Sequence, residues 1–311
     1  GQQSKKGETK FERATLSDRD GTMKSPKLTY TRAESVEQAL ELLSEHRDEA
    51  NILAGGQSLM PTLNMRLSKP DLLIDINRLD ALEGISVEDD MVRIGALTRH
   101  TSVLQSPIVA KHLPLIAEAM PHVAHVAVRN RGTFGGSIAL ADPAAELPAC
   151  ALALNATIVV ESVRGQRHVK AGDFFKGLFE TEREPDEMLT EIQIPCQSSQ
   201  TFHAFMELSR RQGDFAIAGV ACSAKIGEET VTDARLVYFA SEDRPTLASN
   251  AAAAIAGKPW SADSRSSAIA ALSKDLDPMD NLQGSAEFKL HLQRVLTGRV
   301  LDCAIERARA A

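Results

Sequence analysis

The amino-acid sequence predicts an α+β protein built from three consecutive blocks, with two or three hydrophobic cores. The 311 residues are 43% hydrophobic and 25% charged, which is typical of a globular chain long enough for more than one core. Strand-like and helix-like apolar spacings also alternate along the chain from about residue 27. Together these observations exclude disorder of the whole chain.

The first block opens with a βαβαβ pattern that contains a glycine turn. The expected elements are strands at 27–30, 51–54 and 72–76, a helix carrying Val36, Ala39, Leu40, Leu42 and Leu43, and a helix at about 59–67.

The second block, from about residue 79 to 195, contains a second glycine turn, and the third block combines strands with helices. In the second block we expect strands at 91–95, 156–161 and 190–194 and a helix from 112 to about 126. In the third block we expect strands at 202–208, 217–226 and 230–240 and helices at 248–256 and 287–309. The third block therefore predicts a small α+β C-terminal domain.

Residues 1–22 are charged and polar, with almost no apolar periodicity, and run directly into Met23. One interpretation is an expression remnant before a natural start at Met23. The alternative is a genuine N-terminal extension that becomes ordered on a partner. The expected divisions are 1–22, 23–80, 81–199 and 200–311.

Charge and composition exclude several classes of partner and site. The net charge of −7 and the sequence pI of about 5.7 disfavour a nucleic acid or an anionic membrane, which would select a basic surface. The four cysteines contain no CxxC pair, so no metal site is expected in this chain. No apolar run approaches the roughly 20 residues of a membrane span. We expect a cytoplasmic protein with reduced thiols.

Two glycine turns, AGGQSL at 54–59 and TFGGS at 133–137, have the composition of an anion-binding backbone. Paired glycines allow positive φ and let N–H groups approach a diphosphate closely. Ser58 is expected to cap the following helix, whose N-terminal dipole would favour an anion. A Cβ at Gly56 or Gly135 would intrude on the diphosphate or forbid the required φ.

Either motif alone is more often only a tight turn between a strand and a helix. Neither is a Rossmann GxGxxG or a P-loop signature, which disfavours an ordinary NAD or nucleoside-triphosphate site. Arg129 and Arg131, just before the second turn, either face a diphosphate or pair with nearby carboxylates. Arg164 lies in an expected turn between strands, where replacement should change little.

Three stretches taken together resemble a known family. They are AGGQSLMPTLNMRL (54–67), VRNRGTFGGSIALADPAAELPA (128–149) and RRQGDFAIAGVA (210–221). They are similar to signature stretches of the FAD-binding medium subunits of molybdenum hydroxylases, the carbon monoxide dehydrogenase and xanthine dehydrogenase family. The resemblance covers about residues 23–305, and the joint order and spacing make it specific.

The resemblance implies a two-subdomain FAD-binding fold of the vanillyl-alcohol-oxidase (PCMH) type, followed by a C-terminal α+β domain with a three-stranded antiparallel sheet and helices. It also implies that both glycine turns hold the FAD diphosphate. Carried over by position, the cofactor-binding residues are Ala54, Gly55, Gly56, Gln57, Ser58, Leu59, Thr133, Gly135, Gly136 and Ser137. Glu146, with Asp142 as a second candidate, would lie at the ribityl or ring edge of the flavin. The alternative for each carboxylate is stabilisation by a helix dipole.

The sequence also departs from the family pattern. Many relatives have His where this chain has Leu140, so any polar contact to flavin from that side chain is absent. Some relatives have Lys or Tyr in the strand where this chain has Phe205, Met206 and Glu207. Tuning of the flavin potential by charge from that strand is therefore not expected.

The resemblance implies an electron-transfer subunit without a catalytic residue of its own. A large subunit would hold the molybdopterin cofactor, and a small subunit would hold two [2Fe–2S] clusters, in a dimer of heterotrimers (a heterohexamer). Flavin supplies the redox chemistry, and no triad, HxxxH spacing or GxSxG elbow is found. The rival function is a self-contained FAD-dependent oxidase or reductase of the same fold. The substrate and the electron acceptor stay open.

Overall fold

The computed structural model describes residues 25–311, so the two interpretations of residues 1–22 lie outside the described part. The strands are β1 (Thr29–Arg32), β2 (Ala50–Leu53), β3 (Leu72–Asp75), β4 (Ile85–Glu88), β5 (Met91–Gly95), β6 (Thr157–Ser162), β7 (Gly165–Lys170), β8 (Phe175–Gly177), β9 (Glu180–Thr181), β10 (Met188–Pro195), β11 (Thr201–Ser209), β12 (Ala216–Gly227), β13 (Thr230–Phe239), β14 (Thr246–Leu247) and β15 (Lys258–Pro259). The α-helices are α1 (Val36–His46), α2 (Leu59–Asn64), α3 (His100–Gln105), α4 (Pro107–His112), α5 (Pro114–Ala119), α6 (Val126–Arg129), α7 (Phe134–Leu140), α8 (Glu146–Ala153), α9 (Ala171–Phe174), α10 (Ser249–Ile255), α11 (Ala262–Ala271) and α12 (Ala286–Ala310). In this part of the chain, no helix combines the length and the apolar character needed to cross a membrane.

The first sheet is parallel, with strand order β1-β3-β2, as the βαβαβ pattern predicts. Ser35 caps α1 by accepting a hydrogen bond from the backbone N–H of Gln38 at 3.1 Å. The α1 residues Ala39, Leu40 and Leu43 are buried in a core shared with β3. This sheet positions the first glycine turn at the end of β2.

The second sheet is antiparallel, with order β4-β5-β10-β6-β7. β10 lies between β5 and β6, so a strand late in the sequence completes a sheet begun much earlier. All residues of α8 are buried, and this helix contacts β12 and β13 of the third sheet. The largest core therefore extends from the second sheet into the C-terminal part.

The third sheet contains the three expected long strands in the order β11-β12-β13. Two short strands, β14 and β15, pair with β13 and extend it to five strands. They were not predicted, because a two-residue strand has no measurable alternation of side chains. α12 packs on β11 and β12.

The continuous helix expected from 112 to about 126 is wrong. The structure has α5 followed by an irregular segment and then the single turn α6. Pro114 occupies the first turn of α5, where a missing N–H is tolerated, and Ala124 has a positive φ of 45° that ends regular helix. Apolar spacing alone did not reveal these backbone interruptions.

The C-terminal part is fixed to the rest of the chain by two arginines. Arg235 donates to the carbonyls of Ala153 at 3.0 Å and Leu152 at 2.8 Å, at the C-terminal end of α8. Arg307 makes two hydrogen bonds to the carboxylate of Glu118, at 2.7 and 2.9 Å. These contacts hold the third sheet against the helices that border the second.

A substitution at Gly219 tests this packing. In β12, Gly219 pairs with Phe239 of β13, and an added Cβ would lie 2.1 Å from the ring of Phe239. That ring in turn stacks on Phe205 with centroids 5.5 Å apart. Gly219→Ala should lower the free energy of unfolding by about 1–3 kcal/mol through overpacking, measured by urea denaturation. Gly227→Ala in the same strand has open space around its Cβ and is the matched control; an equal loss in both variants would contradict the prediction.

Candidate cofactor-binding site

A cavity of about 590 Å³ is lined by β2, by the beginning of β10 and by the segments that follow β3 and β5. It brings together residues from all three signature stretches, including Gly213, Asp214 and Phe215 of the third. Every residue predicted to bind the cofactor lies in its wall: Ala54, Gly55, Gly56, Gln57, Ser58, Leu59, Thr133, Gly135, Gly136, Ser137, Asp142 and Glu146. Their role as ligands stays a prediction.

The first glycine turn offers backbone donors. Within residues 25–311, the N–H groups of Gly55, Gly56, Gln57, Ser58 and Leu59 make no hydrogen bond to protein. Backbone donors require a partner, so these groups are open to water or to a ligand in the cavity. Gly56 has φ +72°, which agrees with the backbone conformation expected there. A turn with several uncommitted N–H groups fits a diphosphate.

Ser58 does not cap α2 as expected. It occupies the N-cap position with helical angles, φ −106° and ψ −42°, and its side chain makes no capping hydrogen bond. Its carbonyl instead accepts from the backbone N–H of Thr62 at 3.1 Å and from the Thr62 hydroxyl at 2.6 Å. Because α2 is short, its dipole adds little, and the donors themselves dominate the attraction for an anion.

The second glycine turn uses its backbone differently. The N–H of Gly135 donates to Ala96 O at 3.0 Å, and the N–H of Gly136 donates to the Thr133 hydroxyl at 3.1 Å. The N–H of Ser137 is also committed, to Thr133 O at 3.1 Å. The hydroxyls of Thr133 and Ser137 can therefore donate to a ligand, whereas the N–H groups of Gly135, Gly136 and Ser137 are already used within the protein.

The reason expected for glycine at position 135 is wrong in its physical detail. Gly135 does not have positive φ, and an added Cβ would lie 2.6 Å from the Cα of Ala96. The missing side chain lets α7 approach the end of β5. At Gly136 a Cβ would lie 2.6 Å from the hydroxyl oxygen of Thr133, so this glycine protects the helix cap.

The two turns contact each other directly. A Cβ at Gly55 would lie 2.4 Å from Arg131 O and 2.8 Å from the Cα of Gly132. Arg99 joins the turns from outside, because it donates to Arg131 O and, at 2.8 Å, to the side-chain oxygen of Asn77. Asn77 donates in turn to Ala54 O at 2.8 Å. These contacts fix the spacing of the two turns.

His100 supports the second turn from below. Its Nε2 lies 2.9 Å from Thr133 O, and burial lowers the pKa of His100 to about 4. The ring is therefore neutral at pH 7, and since a carbonyl only accepts, Nε2 carries the proton. Sequence analysis missed Asn77, Arg99 and His100. They follow strand ends far from the glycine motifs, and their only signal is a polar residue just beyond a strand.

Two buried carboxylates lie in the wall contributed by 139–146. Asp142 accepts a hydrogen bond from the backbone N–H of Ala144 at 2.9 Å, and burial raises its pKa. Glu146, the first residue of α8, is 6% exposed, and burial raises its pKa to about 7, with a further contribution from Glu207. Near neutral pH, Glu146 can therefore both donate and accept a proton.

β11, the strand that has Phe205, Met206 and Glu207 where some relatives have Lys or Tyr, places a negative charge near the cavity. Glu207 of β11 has a side chain only 3% exposed, and its Oε1 lies 3.3 Å from Nδ1 of His122. This contact raises the pKa of His122. Glu207 does not line the cavity, but its negative charge acts on Glu146, so the strand supplies negative charge in place of the positive charge of some relatives.

A different group of polar residues lies in the wall near β2 and β10. Asn51 donates to the Ser68 hydroxyl at 3.1 Å, and Arg183 donates to Glu187 O at 2.8 Å and Glu184 O at 3.2 Å. Burial lowers the pKa of Arg183, which has no carboxylate within ion-pair distance among the described residues. Arg183 was missed because it lies outside the three motifs.

The structure shows where Arg129, Arg131 and Arg164 lie and which groups they contact. Arg129 donates to the carbonyls of Val123 at 2.8 Å and Ala124 at 2.7 Å, and neither Arg129 nor Arg131 lines the cavity. The side chain of Arg129 therefore holds the loop, whereas Arg131 is exposed and makes no side-chain hydrogen bond within residues 25–311. The small effect expected of replacing Arg164 stays a prediction, but its side chain makes two hydrogen bonds to the carboxylate of Asp186, which is almost fully buried. Removing Arg164 would leave a buried charge with less compensation.

The raised pKa of Glu146 predicts a pH-dependent stability in the ligand-free chain. Because the folded pKa of about 7 exceeds the ordinary value of 4.5, the carboxyl favours folding most below pH 4.5 and progressively less as pH rises through 7. The difference corresponds to about 3 kcal/mol. Glu146→Gln should therefore gain stability relative to the wild type by up to about 3 kcal/mol between pH 5 and pH 8.

Thermal and urea unfolding at several pH values measure this difference. Glu45→Gln, at an exposed position of α1, is the control and should follow the wild type at every pH. A Glu146→Gln variant whose stability runs parallel to the wild type from pH 5 to 8 would show that the carboxyl is not protonated by burial.

Comparison with family models divides the chain into two matched regions. Residues 25–197 match the FAD binding domain in molybdopterin dehydrogenase, and residues 203–304 match the CO dehydrogenase flavoprotein C-terminal domain. The first match contains both glycine turns, Asp142 and Glu146. The second contains the third sheet and most of α12.

Individual relatives cover nearly the whole chain. The 6-hydroxypseudooxynicotine dehydrogenase complex subunit alpha of Paenarthrobacter nicotinovorans is 38% identical over 92% of this chain and 97% of its own. The glyceraldehyde dehydrogenase medium chain of Sulfolobus acidocaldarius is 38% identical over 88% and 97%. A chain of carbon monoxide dehydrogenase from Hydrogenophaga pseudoflava superposes with a TM-score of 0.89 at 37% identity, covering 91% and 99%. This chain belongs to the FAD-binding medium subunits of the molybdenum hydroxylases, the carbon monoxide dehydrogenase and xanthine dehydrogenase family.

Proposed function

We propose that this chain holds FAD noncovalently and passes electrons from the [2Fe–2S] clusters of a partner subunit through FAD to an external acceptor. The observation that carries the proposal is the row of uncommitted N–H groups at 55–59, placed against the second glycine turn in a cavity of about 590 Å³. The partners are a large molybdenum-cofactor subunit and a small iron–sulfur subunit, arranged as a dimer of heterotrimers.

The lining residues divide the binding work. The N–H groups of the first turn and the hydroxyls of Thr133 and Ser137 would hold the diphosphate. Arg183 adds a cation to the wall, and Glu146 places a proton of near-neutral pKa beside the polar edge of the cofactor. When bound, FAD supplies redox chemistry that accepts and releases electrons singly or in pairs. The protein binds, orients and shields it.

The substrate of the assembly lies outside this chain in the proposal. The two curated relatives described above have the same identity to this chain, yet their names refer to 6-hydroxypseudooxynicotine and to glyceraldehyde. Such different substrates with similar medium subunits support specificity in another polypeptide. We also propose the divisions 23–80, 81–199 and 200–311 and a cytoplasmic location, which the four unpaired cysteines support.

Gly55 gives the sharpest test of the cofactor site. A Cβ at Gly55 meets backbone of the opposite turn, which cannot move aside without separating the two turns. Gly55→Ala should weaken FAD binding at least about tenfold, equivalent to ~1.4 kcal/mol, as measured by flavin titration of the apoprotein. Gly172→Ala, whose Cβ makes only ordinary contact with Leu152, is the matched control. Equal FAD affinity in both variants would contradict the assignment.

The relay function predicts a dependence on partners. The isolated chain loaded with FAD should show no bleaching of flavin absorbance when mixed anaerobically with the substrate of the complex, because no lining residue is assigned a catalytic role. Addition of the molybdenum and iron–sulfur subunits should make bleaching depend on substrate. Rapid bleaching of the isolated chain would support the rival, a self-contained flavoenzyme.

A further inference from the structure

The C-terminal helices carry a basic groove that the proposed function does not use. A groove of about 430 Å³ between α11 and α12 is lined by Arg265, Ile269, His291, Arg294, Val295 and Arg299. None of these lining residues carries a carboxylate, although the whole chain has a net charge of −7. This groove is therefore positively charged, although the chain as a whole is negatively charged.

The two groove arginines on α12, Arg294 and Arg299, are not used in folding. Arg294, Arg299 and His291 are exposed, and none makes a side-chain hydrogen bond or ion pair within residues 25–311. An exposed arginine without a partner contributes little to stability. Its guanidinium is free to bind a carboxylate through two parallel hydrogen bonds.

Arg265 is held in place at the groove. Its Nε lies 3.5 Å from the carboxylate of Asp302, which also accepts a hydrogen bond from the indole of Trp260 at 3.0 Å. A Cβ at Gly298 would lie 2.4 Å from Nη2 of Arg265, so the glycine makes room for the guanidinium. A glycine inside a helix destabilises it relative to alanine. The packing therefore keeps the Arg265 guanidinium at this position, although the glycine that makes room for it destabilises α12.

The spacing of the cations identifies the shape of the ligand. His291, Arg294 and Arg299 all line the groove from α12, and the eight residues of helix from His291 to Arg299 rise about 12 Å. An extended segment covers that distance with three or four residues. A ligand that contacts the groove along its whole length must therefore be elongated. Ile269 and Val295 add apolar surface between the charges.

We propose that this groove docks an acidic segment of a partner subunit, in extended form, with its carboxylates on Arg265, Arg294 and Arg299. The inference rests on the proposed function, since it requires that the chain works in a heteromeric complex. Residues 1–24 of this chain are not the occupant, because they contain more basic than acidic residues.

Charge reversal tests the groove in the assembled complex. Arg294→Glu with Arg299→Glu should weaken association of the FAD-loaded chain with the other subunits roughly tenfold or more, mainly by slowing association. The salt dependence of association should also become shallower than in the wild type. Lys111→Glu with Lys225→Glu, at exposed positions without side-chain partners, changes net charge equally and should leave the salt dependence unchanged.

Charge-preserving variants locate the occupant. Arg294→Lys with Arg299→Lys keeps the positive charge and introduces amines that a zero-length carbodiimide joins to carboxylates. Cross-linking of the whole complex, followed by peptide mass spectrometry, should connect both lysines to one short acidic segment of another subunit. Cross-links to a second copy of this chain, or to no partner, would overturn the proposal.

The two proposals fail in different ways. If the charge-reversed chain associates as tightly as its control while retaining FAD, the groove proposal is wrong and the electron-transfer function stands. If the wild-type chain associates with neither partner subunit, both proposals fail. FAD content and the unfolding midpoint of each variant distinguish lost docking from a damaged fold, because the groove is separate from the cofactor cavity.

Discussion

At Gly55 the first glycine turn lies against the backbone of Arg131 and Gly132, with room for a hydrogen atom but none for a Cβ. Both turns line the cavity, so the contact between them limits how far apart its walls can lie. Asn77 and Arg99 connect the same two turns through carbonyl oxygens on each side. These contacts therefore fix the position of the first sheet, which is parallel, relative to the second, which is antiparallel, around the cofactor site.

The two turns look alike in sequence but contribute different groups. The first turn leaves consecutive N–H donors open, whereas in the second turn the N–H of Gly135 donates to Ala96 and those of Gly136 and Ser137 donate to Thr133. Glycine is needed at 56 for its backbone angle and at 135 for close packing on the end of β5. A GG pair therefore does not by itself say which physical requirement it meets.

Charge around the cavity favours binding more than stability. Glu146 is buried with Glu207 and Asp142 acting on it, and its pKa near 7 reflects the cost of a charge in that place. Arg183 is likewise removed from water without a carboxylate in ion-pair contact among the described residues. Groups that are kept under such conditions are common at functional sites, where a ligand completes their environment.

The sequence by itself determined the α+β class, most of the long strands and helices, and the twelve predicted residues among those that line the cavity. Local periodicity and the glycine motifs carry that information, because they depend on neighbours a few positions apart. Tertiary structure alone decided the contacts of Asn77, Arg99 and His100 with the two glycine turns. It also decided the contact between Glu207 and His122 and the ion pair of Arg164 with Asp186. Each is a contact between residues distant in the chain, or depends on burial, and the pKa of Glu146 depends on both. Neither the partner of a side chain nor its separation from water is encoded in local spacing, so these properties appear only when the sheets pack together.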